Sequence, residues 1–259
     1  MSLSIIIAGL VTGMLLGIFG SGGSIITVPA LLYLLHIEPK PAIAMSLGIV
    51  SLTATITALQ HWRKANVNFK VTAIFGLFGV VGSFGGAKIG VITPVVIQLS
   101  AFALVMYAAA WKMLNPSPQP KPIGAAVANC PDGHCDDLEY RHIALHGVAV
   151  GLLSGVVGVG GGFLIVPALV LLSGLPMKKA VGTSLSIVAV QSFSGFAGYA
   201  GAVPIDYSLM AVFTGIAITG SVAGSMLAHH LPGDLLKRGF GGFLLLVASY
   251  ILFRSVLFN

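Results

Sequence analysis

Apolar residues run along almost the whole chain in stretches of 15 to 26 residues, separated by segments that hold most of the charges and most of the prolines. A membrane-spanning helix needs about 20 consecutive apolar residues, whereas buried strands are far shorter. The pattern therefore predicts ten helical segments. They are expected at residues 3–19, 22–36, 41–60, 69–90, 94–113, 142–157, 161–175, 179–200, 207–229 and 233–258.

Composition agrees with a chain that lies in lipid. Of the 259 residues, 56% are hydrophobic and 8% are charged, whereas soluble domains carry about 25% charged residues. The net charge of +6 comes from 13 Lys and Arg spread over the loops, as the positive-inside rule expects, so it does not point to nucleic acid. We predict an all-α integral membrane protein whose main surroundings are the lipid bilayer.

The chain contains two copies of one unit. Residues 17–31 (GIFGSGGSIITVPAL) align without gaps to residues 155–169 (GVVGVGGGFLIVPAL), with eight of fifteen positions identical at an offset of 138. The same offset keeps further Gly, Ser and Pro residues in register, which chance similarity between apolar stretches does not do. We predict a first membrane repeat at 1–113, a polar cytoplasmic linker at 114–141 and a second membrane repeat at 142–259.

Basic residues in equivalent loops indicate that the two repeats are inverted. The loop after the third segment holds Arg63, Lys64 and Lys70, but its counterpart in the second repeat holds no Lys or Arg. The loop after the fourth segment shows the reverse, with Lys237 and Arg238 in the second repeat. Because Lys and Arg mark the cytoplasmic side, equivalent loops should lie on opposite sides. Inversion requires an odd number of crossings per repeat, so the first two segments of each should form a returning pair, or each should cross separately.

Each repeat has a glycine-rich break between its first two segments, at GSGGS (20–24) and GVGGG (158–162). Glycine weakens a helix by about 1 kcal/mol per residue, and an open backbone inside a membrane must line a cavity or be buried in protein. The helix that restarts after a break presents free N–H groups and a positive dipole end, which favour an anion. Matched breaks in inverted halves predict a substrate site, although glycines of this kind also serve close helix packing.

Hydroxyl and amide side chains inside the segments complete the candidate site. Ser46 and Ser184 are equivalent in the two repeats, and Gln191 lies in the eighth segment. A buried hydroxyl often bonds a carbonyl of its own helix, which is the alternative for both serines. The full set of candidate substrate-binding residues is Gly20, Ser21, Gly22, Gly23, Ser24, Ser46, Gly158, Gly160, Gly161, Gly162, Ser184 and Gln191.

Six of the seven acidic residues fall outside the apolar segments, and the seventh, Asp234, is the second residue of the last one. Carboxylates inside a membrane usually mark proton relays and cation sites, so cation transport is disfavoured. A potential of 100 mV, negative inside, favours expulsion of each negative charge by about 2.3 kcal/mol, enough to drive export of an anion. The chain also lacks HExxH, GxSxG and any buried pair of acids, so we expect no enzyme, catalytic residue, metal site or cofactor.

With its duplicated G-x-G-G-(S/G)-x4-P-A-L motif, the chain resembles the TauE/SafE family, the 4-toluene sulfonate uptake permease group of bacterial membrane proteins. The resemblance implies a multi-pass protein of the bacterial plasma (inner) membrane. It also implies a small anionic substrate, sulfite or an organosulfonate, which we expect to be exported and to bind near the midplane between the breaks. The alternatives are a channel-like anion pore and a non-transport accessory membrane subunit.

Overall fold

A computed structural model describes residues 3–20, 22–63, 66–115, 137–157, 162–171 and 175–257. These residues form ten α-helices and one π-helical turn, π1, which continues the second helix. Their bounds are α1 Leu3–Phe19, α2 Gly22–Pro29, π1 Ala30–Leu34, α3 Pro39–Arg63, α4 Phe69–Ile92, α5 Val95–Leu114, α6 Asp137–Val157, α7 Gly162–Leu171, α8 Met177–Tyr199, α9 Tyr207–His230 and α10 Gly233–Leu257.

The all-α membrane architecture predicted from the sequence is confirmed. Helices α3, α4, α8 and α9 are each long and apolar enough to cross a membrane, and shorter apolar helices accompany them. The α4 and α9 helices begin at equivalent caps, where Asn68 and Asp206 accept the N–H groups of Val71 and Leu209, as expected for side chains at an N-cap. Helix α6 begins at Asp137, inside the stretch predicted as linker, because its polar first turns extend the helix beyond the apolar segment.

The turn from α2 into π1 follows Pro29. Proline has no N–H to donate to the carbonyl four residues earlier, so the regular hydrogen-bond ladder is interrupted there. Beyond it the ladder widens, and Leu35 N–H donates to the carbonyl of Ala30 at 3.3 Å. Together α2 and π1 span 13 residues, about 20 Å at 1.5 Å per residue, which is less than the hydrocarbon thickness of about 30 Å.

Equivalent helices of the two repeats, α3 and α8, run antiparallel. A Cβ atom built on Gly195 would lie 3.4 Å from Leu47, near the start of α3, whereas one on Gly182 would lie 3.1 Å from His61, near its end. The residue numbers thus rise along one helix and fall along the other. The helices α3 and α8 are equivalent elements of the two repeats. Because they run antiparallel, the repeats are related by a rotation about an axis perpendicular to the helices, which confirms the inverted arrangement.

The first helix of each repeat packs against the fourth helix of the other. Backbones touch at Gly13 with Ala217 and Gly17 with Ser221 between α1 and α9, and at the equivalent pairs between α6 and α4 (Gly151 with Gly79, and Gly155 with Ser83). Small residues allow this close approach, which supplies the packing between membrane helices. The repeats are therefore interlocked.

Helix directions also confirm the returning pair. Ala217 and Ser221 of α9 follow Gly13 and Gly17 of α1 in the same direction. In α3, Gly48 contacts Met210, while Thr57 and His61 hydrogen-bond Ser221 and Ser225, again in ascending order. Since α1 and α3 both run parallel to α9, the α2–π1 segment between them must run back toward the side on which α1 begins.

The two ends of the bundle differ in charge. The end of α3 and the starts of α8 and α10 meet around one cavity lined by His61, Lys178 and Leu236. Arg63, Lys178, Lys179 and Arg238 are exposed and lie on these same elements. We call this the basic end. At the other end Lys40 donates a hydrogen bond to the carbonyl of Val91.

Candidate substrate site

The break of the first repeat is a sharp turn at Gly20. Helix α1 ends at Phe19, and Gly20 has a φ of +74°, in the left-handed region. Its N–H still donates to the carbonyl of Leu16 at 2.8 Å, so α1 closes normally before the chain reverses. A residue with a Cβ is strained in this conformation, and glycine is not. Ser21, Gly158, Gly160 and Gly161 lie outside the described residues.

After the chain reversal at Gly20, glycine residues form the first turn of the next helix. Gly22, Gly23 and Ser24 begin α2, and Gly162 begins α7, where it is buried. The first N–H groups of a helix have no partner within it. No acidic residue lies in the first turn of α2 or of α7, so neither positive helix end is neutralised from within its own first turn.

The hydroxyl of Ser184 holds this turn in place. Its Oγ lies 3.3 Å from the carbonyl oxygen of Gly20 and 2.8 Å from that of Val181. Ser46 repeats the local half of the arrangement, because its Oγ donates to the carbonyl of Ile43 at 2.8 Å. Each hydroxyl proton is therefore directed at a backbone carbonyl, and only the oxygen lone pairs are left for another group. Ser184 acts on the break as a positioning residue.

The structure does not bring Ser46 and Ser184 together. Because α3 and α8 are antiparallel, with Leu47 beside Gly195 and His61 beside Gly182, the two serines lie about thirteen residues apart along the helices, or about 20 Å. One small anion cannot contact both hydroxyls. The candidate residues of the two repeats thus lie at two depths in the bundle.

Gln191 lies midway between these depths. It is fully buried, and neither its Nε2 nor its Oε1 has a hydrogen-bond partner within the described part of the chain. Gly79 leaves the room that this side chain occupies, since a Cβ there would overlap Nε2. An amide buried without partners costs about 1–3 kcal/mol. The Oγ atoms of Ser154 and Ser192 are also buried without described partners.

A polar cavity at the basic end was not predicted from the sequence. It has a volume of about 20 Å³, and its polar lining residues are His61, Asn66, Lys178 and Ser225. His61 is buried, and its Nε2 lies 3.1 Å from Oγ of Ser225. In the sequence, His61 follows Thr57 by four residues and Thr53 by eight. This helical spacing is the signal that could have placed His61 on the polar inner face of α3.

Comparison with known proteins gives the family. The sequence model described as "Sulfite exporter TauE/SafE" matches residues 5–251. The chain belongs to the TauE/SafE family. A "Probable membrane transporter protein" of Xylella fastidiosa is 33% identical over 252 residues, covering 96% of this chain and 94% of that protein.

More distant members of the TauE/SafE family carry similar names. The "Probable membrane transporter protein YdhB" of Bacillus subtilis is 26% identical, covering 90% of this chain and 93% of its own length. A "Probable membrane transporter protein" of Haemophilus influenzae is 27% identical, with 94% and 95% covered. No solved structure matches the chain. The family and the apolar helices together establish a multi-pass membrane protein of a transporter family.

Proposed function

We propose that this chain exports a small sulfur-containing oxyanion, sulfite or an organosulfonate, across the bacterial inner membrane, with the basic end in the cytoplasm. The family's description supplies the substrate class. The observation that carries a central site is the side chain of Gln191, fully buried midway along the bundle with its amide N–H groups unpartnered among described residues.

The chemistry around Gln191 suits an anion. An oxyanion accepts hydrogen bonds only, and the amide of Gln191 has two N–H groups to donate. No carboxylate lies in the interior of the apolar segments to repel it, since Asp234 stands at the start of the last one. A buried donor that lacks a partner in one state of a transporter can gain one when substrate arrives, which offsets the cost of leaving it unpaired.

The different depths of Ser46 and Ser184 within the bundle are consistent with a transporter that works by alternating access. A site at Gln191 would lie about 10 Å from each, counting 1.5 Å per residue along α8 and α3. The turn at Gly20, held by Ser184, would face the path toward the basic end. Rocking of interlocked inverted repeats could then open the central site to either side.

Radiolabelled sulfite flux in proteoliposomes tests the proposal, with sulfate, sulfoacetate and chloride as competitors. We expect flux driven by a membrane potential and competed by the sulfur anions rather than by chloride. The variant Gln191→Leu should reduce the flux at least about tenfold, the effect of 1.4 kcal/mol at the site. Its thermal stability should be unchanged or higher, because an unpaired amide is removed.

The matched control is Gln60→Leu, the same change at a half-buried position of α3. It should leave sulfite flux within about twofold. Normal flux in Gln191→Leu would exclude Gln191 from the site, and absence of flux of any sulfur anion in the unchanged protein would overturn the transport proposal itself.

A further inference from the structure

The basic end holds the cavity lined by His61, Asn66, Lys178 and Ser225, which we call the basic cavity. We propose that the basic cavity is a second anion-binding site, at which an organosulfonate or sulfite is held between the water at this end and the central site. The inference rests on the proposed function for the identity of the anion, but its geometry does not involve Gln191.

The lining of the basic cavity is suited to a negative charge. Lys178 carries a positive charge, and the amide of Asn66 can donate hydrogen bonds. His61 and Ser225 share one hydrogen bond, which leaves at least one further N–H or O–H of this pair to donate. No acidic residue is among the lining residues. Asp234, two positions before Leu236 on α10, is exposed rather than in the cavity.

Local hydrogen bonds hold these groups in place. The N–H of Asn66 donates to the carbonyl of His61 at 3.0 Å, and the N–H of Asn68 donates to Oγ1 of Thr183 at 3.0 Å. The loop between α3 and α4 is therefore fastened to both α3 and α8. Ser225 of α9 bonds His61 from the third side.

The basic cavity adjoins the break of the first repeat. Val181 lines the cavity, and a Cβ built on Gly20 would lie 2.9 Å from Cγ1 of the same valine. An anion that leaves the cavity inward thus meets the Gly20 turn, and beyond it the path leads about 10 Å along α8 to Gln191. The cavity lies between water and the proposed central site.

The equivalent place at the other end of the bundle is filled. Tyr199, the counterpart of His61, is fully buried, and its hydroxyl donates to the carbonyl of Val156 at 3.2 Å. Gln98, the counterpart of Leu236, donates to the carbonyls of Val156 and Gly90, each at 2.8 Å. The duplicated fold by itself would produce such a cavity at both ends of the bundle. Because only the basic end has one among the described residues, the cavity depends on the particular side chains there.

The cavity is narrow in this state. Its volume of about 20 Å³ exceeds the 10–15 Å³ that one water requires. Lys178, one of its walls, is exposed, and exposed side chains change rotamer within nanoseconds. A sulfonate is larger than this cavity, so its entry requires movement of the Lys178 side chain.

Thiol chemistry with a sulfonate reagent tests the basic cavity directly. The full-length protein with Cys130→Ser and Cys135→Ser provides the background, and Ser225→Cys places one thiol in the cavity. Its reaction rates with an anionic methanethiosulfonate ethylsulfonate and with the cationic trimethylammonium analogue are compared. We expect the anionic reagent to react faster, and Lys178→Met to lower the anionic-to-cationic rate ratio about tenfold.

Two controls locate the effect. Lys179→Met removes the same charge from the next position, and it should change the rate ratio by less than about twofold because Lys179 does not line the cavity. Ala87→Cys, at the repeat equivalent of Ser225, should be unreactive behind Tyr199 and Gln98. If Ser225→Cys does not fold, Ala228→Cys places the thiol in the same lining.

The outcomes separate this proposal from the central site. Equal rates for both reagents, no reaction at either cavity position, or equal effects of Lys178→Met and Lys179→Met would overturn the basic cavity as an anion site. Gln191→Leu should leave the rate ratio unchanged while it reduces sulfite flux. Normal flux in Gln191→Leu, with the rate ratio intact, would instead overturn the central site and leave the basic cavity standing.

Discussion

Gly20 shows how one residue type sets the position of a helix break. Its φ of +74° lies where L side chains are strained, and a Cβ would lie 2.8 Å from Oγ of Ser184 and 3.0 Å from Cα of Val181. Both the backbone and the space therefore require glycine at this turn. The other glycines of the break serve a different need, since Gly22 and Gly23 are part of α2.

Gly20→Ala should destabilise the protein. The left-handed backbone alone costs about 1–2 kcal/mol for a residue with a Cβ, and the overlap with Val181 adds to it. The matched control is Gly85→Ala, at a helical position where a Cβ meets nothing within 4 Å. Thermal unfolding in detergent should show a lower midpoint for Gly20→Ala and an unchanged or higher one for Gly85→Ala, because alanine favours helix. Equal midpoints would show that the turn relaxes without cost.

At the scale of elements, glycine spacing determines which helices meet. Gly9, Gly13 and Gly17 are four residues apart in α1 and face α9, and their equivalents Gly147, Gly151 and Gly155 face α4 in the same way. Lipid tails are as apolar as leucine, so burial of apolar area does not select partners in a membrane. Backbone contact along these two rows of glycines, which we call the glycine stripes, selects the partner helices instead.

Substitution inside a stripe should separate the repeats. In Gly13→Val or Gly151→Val the new side chain would overlap the backbone of Ala217 or Gly79. Overpacking of this kind costs about 1–3 kcal/mol. Both variants should lower the unfolding midpoint by similar amounts, as expected for equivalent positions.

The control for the stripes is Gly215→Val, at an exposed position of α9 where a Cβ has open space. It should leave the unfolding midpoint unchanged or slightly higher, because valine is no worse than glycine inside a helix. If Gly215→Val were as destabilising as Gly13→Val, the loss would reflect valine in a helix rather than the contact between α1 and α9.

For the whole molecule, inversion has a consequence that labelling can measure. Lys70 and Ser208 are repeat equivalents, both exposed near the starts of α4 and α9. In the background without Cys130 and Cys135, Lys70→Cys should react with an impermeant maleimide from the cytoplasmic side, and Ser208→Cys from the outside. Reaction of both from one side of the membrane would contradict the inverted topology.

Much of the architecture could be predicted from sequence because a membrane imposes simple rules. Lipid requires long apolar helices, so residues 3–19 and 69–90 predicted α1 and α4 to within two residues. Lys and Arg are costly to translocate, so Arg63 and Arg238 were expected on one side, and their elements do meet at the basic end. The duplication at an offset of 138, together with the different charges of equivalent loops, then implied the inversion.

The candidate site was predictable only in part. Gln191 was identified as a buried polar residue, but its location midway between Ser46 and Ser184 depends on the crossing of α3 with α8, and the sequence contains no signal for a crossing point. His61 stands at the end of an apolar segment beside Trp62 and Arg63, where a histidine is ordinarily exposed. Only the packing of α9 against α3 buries it beside Ser225.

Sequence by itself determined the number of segments, the duplication, the inversion and the positions of the two breaks, because each follows from local composition or from charge counted along the chain. Tertiary structure alone decided that α1 pairs with α9 and α4 with α6, that two equivalent serines lie about 20 Å apart, and that one end is open at His61 while the other is closed by Tyr199. The physical reason is that partners inside a membrane are selected by shape and backbone contact, which hydrophobicity along a chain does not encode.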